Sequence, residues 1–114
     1  MKKLSLFLSF LFVMYANEPK ILKVDCKRAV DNSYSFFVTV KHNDTSSEHY
    51  VTRWEVLSEK GDILAIRILY HPHINEQPFT RALYGIELPN ISKVYIRAYD
   101  IVHGYSKNYE VILP

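Results

Sequence analysis

Residues 93–100 read Lys-Val-Tyr-Ile-Arg-Ala-Tyr-Asp, and this stretch decides the fold. Val94, Ile96 and Ala98 alternate with Tyr95, Arg97 and Tyr99, the period-two pattern of a strand with one face against a core. The same period recurs upstream. Tyr34, Phe36, Val38 and Val40 share one face opposite Ser35, Thr39 and Lys41, and Leu22, Val24 and Cys26 share a face before the turn at Asp31-Asn32-Ser33. Between these stretches and the opening one, Thr52, Trp54 and Val56 alternate with Arg53 and Glu55, which makes Trp54 the expected core anchor. From Ile63 to Tyr70 the chain is almost continuously apolar; its β-branched content and the flanking Gly61 and Pro72 favour a strand, with Leu64, Ile66, Ile68 and Tyr70 expected inward. A further strand is expected from Phe79 to Leu88, with Gly85 marking a bulge, and a last one with Tyr109, Val111 and Leu113 inward. Seven short strands without repeats or a long linker predict an all-β, antiparallel immunoglobulin-like sandwich.

The chain opens on Met1-Lys2-Lys3, continues as an apolar run from Leu4 to Tyr15, and reaches Ala16 before Asn17, Glu18 and Pro19. A basic start, a short apolar run and a small residue are the layout of a secretory signal. The run is shorter than the roughly 20 residues of a spanning helix, so cleavage after Ala16 is expected, with a retained anchor as the alternative. The expected organisation is a signal peptide over residues 1–16 and one sandwich domain over 17–114, exported to the periplasm or secreted. Of 114 residues, 98 remain after cleavage, enough for one modest core and containing no membrane span. Losing Lys2 and Lys3 takes the basic count from 14 to 12, equal to the 12 acidic residues, so no basic stripe points to nucleic acid. Cys26 is the only cysteine, which excludes an intramolecular disulfide; it reads as a small core hydrophobe.

Two short stretches carry a resemblance. HPHINEQPFTR, residues 71–81, and RAYDIVHGY, residues 97–105, resemble small exported bacterial proteins with HPHxxEQPFTR followed by RAxDxVHGY; the likeness implies a shared domain and lends no activity. KVYIRAYDIVHGYS more weakly resembles the last hairpin of fibronectin type III domains, and a tryptophan on the third strand resembles immunoglobulin domains.

Topology gives the histidines their interest. In an antiparallel sandwich successive connections alternate between the two ends, so the second, fourth and sixth share one pole. Those three connections, His42 to His49, His71 to Pro78 and Ile101 to Ser106, hold all five histidines. Imidazole nitrogens converging on one point suit zinc, copper(II) or nickel, whereas copper(I) wants thiolate or thioether sulfur. His71 and His73, stiffened by Pro72, are the expected leading pair, with His103 as third ligand and His49 or His42 as fourth; Asp44, Glu48, Glu76 and Asp100 are candidate carboxylates. His42 continues the inward face of the second strand, which also suits a hydrogen-bonded rim residue.

Enzyme signatures are missing: the chain has no phosphate loop, G-x-S-x-G elbow or H-E-x-x-H, and a metal hydrolase would need a base such as Glu76. The sequence therefore predicts a non-enzymatic exported protein binding zinc or copper(II) through its histidine pole. The competing expectation is a metal-free interaction module with an exported or envelope protein as partner, using outward aromatics such as Phe37, Tyr95 and Tyr99.

Overall fold

Alternating sequence becomes alternating burial. The structure, a computed structural model, describes residues 18–44, 46 and 48–114; the expected signal segment, residues 1–16, lies outside them. Among the described residues there are eight strands and no helix: β1 (Lys20–Arg28), β2 (Tyr34–Lys41), β3 (Val51–Leu57), β4 (Ile63–Ile68), β5 (Phe79–Ile86), β6 (Lys93–Asp100), β7 (Gly104–Tyr105) and β8 (Tyr109–Ile112). They form two antiparallel sheets, β1-β2-β5 and β4-β3-β6 extended by β7 and β8 on β6. The architecture is the expected sandwich with one strand more than the seven expected. The extra one is β7, where Tyr105 and Gly104 pair with Tyr99 and Asp100 before the chain returns to β6 as β8.

The core lies between the sheets. Tyr34, Phe36, Val38 and Val40 enter it from β2, Trp54 and Val56 from β3, Phe79 from β5, and Val94, Ile96 and Ala98 from β6. Burying each large side chain of this kind stabilises the fold by about 1.5–3 kcal/mol. The expected inward faces of β2, β6 and β8 are the observed ones, and Gly85, at φ 66°, sits where the β2–β5 register shifts, as a bulge requires.

Two inward faces differ from expectation, and both differences come from bulges. In β4, Ala65 pairs with Val56 but Ile63 pairs with Leu57, so the register slips and Ala65 and Arg67 face inward with Leu69 beyond them. Ile66, Ile68 and Tyr70, expected inside, are exposed; Leu64 packs partly on the core. A register shift between Ile21 and Lys23 likewise turns Leu22 outward while Ile21, Val24 and Cys26 pack on the core. Arg67 uses its inward position to span the open side of the sandwich. Its guanidinium donates to the carbonyl of Ala82 on β5 at 2.9 Å and to the carbonyl of Ile68.

Candidate metal centre

Strand parity delivers the first two residues of the site. The buried alternation of β2 runs one step past its end to His42, and that of β6 ends on Asp100, so both side chains point between the sheets at the same pole. His42 and Asp100 are both buried, and His49, on the β2–β3 connection, is only partly exposed beside them. One ligand atom each from His42, His49 and Asp100 lies within 4.8 Å of the others; these three form the only such group of histidine, cysteine or acidic side chains among the described residues.

Asp44 orients His42. Its buried carboxylate accepts the Nδ1–H of His42 at 2.7 Å and the backbone N–H groups of His73 at 2.8 Å and Val51 at 3.2 Å. Burial pushes the Asp44 carboxyl up, but these donors outweigh it and hold the group below its ordinary value of 3.8. The His42 Nδ1 side therefore faces an ionised carboxylate, and its Nε2 faces Asp100 Oδ1, 3.6 Å away. Asp100 Oδ2 accepts the backbone N–H of His103 at 2.8 Å and lies 3.3 Å from His49 Nε2. Asp100 Oδ1 is buried with no hydrogen-bond partner. Two atoms bound at about 2.0–2.2 Å to one tetrahedral zinc ion stand roughly 3.3–3.6 Å apart; each histidine has that spacing to one Asp100 oxygen, though not to the same one, and the three ligand atoms lie within 4.8 Å of one another.

The other expected ligands are placed differently. The ring of His103 makes an edge contact with that of His49 at 5.1 Å and stands outside the group of three. His71 and His73 do lie side by side, with ring centroids 4.9 Å apart. But His73 is buried and stacked on Phe79 at 3.9 Å, and its Nδ1 meets Glu76 at 3.0 Å. Glu76 also accepts from Arg81 at 2.8 Å, so the carboxylate considered as ligand or base is engaged in an ion pair. Glu48 is exposed. Gln77 ties the two halves of the pole together, accepting the N–H of His42 at 2.9 Å and donating to the carbonyl of His73 at 2.8 Å. Cys26 is no ligand: it lies on β1, and burial pushes its thiol up to about 11.

No family model, curated protein or solved structure matches this chain.

Asp100 was reachable from sequence by the same parity that places Ala98 inside, since an acidic residue continuing an inward face must find compensation. His73 carries a separate consequence. Burial, with Arg81 and His71 nearby, pushes its imidazole below the ordinary 6.5 against the pull of Glu76. The unfolded chain then binds the proton first, so stability is full above about 6.5 and falls as pH drops below it. Denaturation midpoints are expected to fall from pH 7 to pH 5, and His73→Phe, which cannot titrate, is expected to flatten that slope. An unchanged slope in the variant would assign the effect to another group.

Proposed function

We propose that this protein is an exported, non-enzymatic β-sandwich of the periplasm or the secreted fraction that binds one divalent transition ion, zinc or copper(II), through His42, His49 and Asp100. The observation that carries the reading is Asp100 Oδ1, a buried oxygen without a hydrogen bond, 3.6 Å from His42 Nε2. A buried carboxylate oxygen without a hydrogen bond calls for a cation beside it. Asp44 supplies the outer carboxylate that commonly fixes a ligating histidine. A dication also balances the two buried carboxylates, Asp44 and Asp100, while leaving both imidazoles neutral, the form in which they ligate. The donor set of nitrogen and oxygen without sulfur suits zinc or copper(II) over copper(I).

A second reading rests on the outer face of the five-stranded sheet. There Arg97 lies over Tyr105 at 3.7 Å and Arg53 over Tyr99 at 4.3 Å, beside the exposed Ile66 and Ile68. Such a surface suits an exported or envelope protein partner.

Calorimetric titration with zinc and copper(II) separates the two. One ion per chain is expected, with uptake lost in His42→Ala/His49→Ala and kept in His71→Ala/His73→Ala. Loss confined to the second variant, still folded by circular dichroism, would move the site to the β4–β5 connection. No uptake by the intact protein would remove the metal reading and leave the interaction surface.

A further inference from the structure

Two of the three proposed ligands, His42 and His49, line a surface cleft of about 330 Å³ together with Glu18, Lys20, Lys41 and Asn43. Lys20 and Lys41 are directly opposite each other across β1 and β2, and both are exposed. Like charges in that position repel and destabilise a strand pair unless an anion lies between them. Three protein ligands also leave a tetrahedral ion one position short, and His42 and His49 line the same cleft as the lysines.

We infer that the cleft binds a small carboxylate, held by Lys20 and Lys41 and completing the coordination of the ion at His42, His49 and Asp100. The inference rests on the metal reading above. Formal charge selects the class of anion. The dication is balanced by Asp44 and Asp100; Lys20, Lys41 and Glu18 together leave one positive charge, which matches a monoanion better than a phosphate dianion. Size agrees, since a cleft of about 330 Å³ is at the small end of ligand sites and takes a short carboxylic acid or the terminal residue of a peptide.

Cobalt(II) makes the site visible, because its absorption bands change when a fourth ligand is exchanged. The purified protein is loaded with cobalt(II), then titrated with sodium acetate and, separately, with inorganic phosphate. Acetate is expected to shift the visible spectrum saturably and to bind more tightly than phosphate. Lys20→Ala/Lys41→Ala is expected to take up cobalt as before and to bind acetate about tenfold more weakly, the loss of charge-assisted contacts. A cobalt spectrum that ignores acetate overturns the inference and leaves the metal reading standing. Equal acetate binding by the lysine variant overturns the cleft as the place of binding, and tighter phosphate binding overturns the carboxylate assignment. Failure to take up cobalt at all removes the metal reading and this inference with it.

Discussion

Asp100→Asn is expected to end zinc uptake while leaving the fold in place. The asparagine keeps an oxygen for the His103 N–H, which Asp100 Oδ2 accepts at 2.8 Å, so the β6–β7 turn retains its hydrogen bond. It loses the negative charge proposed to bind the ion. Changing an outer partner of a metal-ligating histidine costs about 10–100-fold in affinity, and removing a charged ligand is expected to cost more than that. Asp44→Asn provides the graded comparison, because it leaves the three ligands in place and weakens the acceptors that orient His42 and hold the His73 and Val51 N–H groups. In the wild type, free zinc at a hundred times its dissociation constant is expected to stabilise the native state by about 2.7 kcal/mol, a gain that Asp100→Asn is expected to lack entirely. Thermal melts with zinc and with a chelator measure both effects. A larger loss in Asp44→Asn than in Asp100→Asn would reverse the assigned roles.

Glu55→Ala is expected to be the most destabilising single change on the outside of the sandwich. Glu55 is 1% exposed although it belongs to the outer face of β3. Arg53 and Arg97 each donate to it through Nε at 2.7 Å, and the phenol of Tyr105 closes over the group. Burial alone would push the carboxyl up, but the two guanidiniums hold it below its ordinary 4.5. Removing it leaves two cations side by side and largely covered, a break of the kind that costs about 3–5 kcal/mol when fully buried. Both arginines keep some contact with water, with side chains 27% and 24% exposed, so the lower end, about 3 kcal/mol, is expected. For a domain of this size that corresponds to roughly 15 °C in midpoint temperature. Glu55→Gln, which retains an acceptor, is expected to lose less. The depressed carboxyl also sets a sign: its stabilisation is present above about 4.5 and is lost as pH falls through the lower folded value. Equal melts for Glu55→Ala and wild type would show that the arginines are satisfied without it.

The fold was legible where one face alternates cleanly. β2 and β6 have apolar residues at every second position, so their parity can be read directly, and the alternation of β3 places Trp54 inside in the same way. β4 was not legible for a physical reason. Ile63, Leu64, Ala65, Ile66, Ile68 and Leu69 offer apolar side chains on both faces, and a single bulge opposite Leu57 decides which face is buried. The pole that gathers the histidines follows from counting connections, and it holds because β7 adds a strand without moving any connection to the other end. The choice among the histidines was harder. The one-residue spacing of His71 and His73 brings their rings together, but ligation depends on where the nitrogens aim, and His73 Nδ1 aims at Glu76. His42 and Asp100 are set by strand parity, which sequence can give; the aim of a ring in a connection is set by neighbours distant along the chain.

His42 prolongs β2 and Asp100 closes β6, strands that belong to different sheets. The proposed ion, shared by them, would be a rivet through the sandwich, placed between two segments that lie far apart along the chain. Antibody domains brace their two sheets with a disulfide, a solution closed to a chain with a single cysteine. Unlike a disulfide, which restricts the unfolded chain, such an ion would act by binding only the native state, and so only while ions are supplied. On the proposed reading, metal supply would set how long the two sheets stay joined.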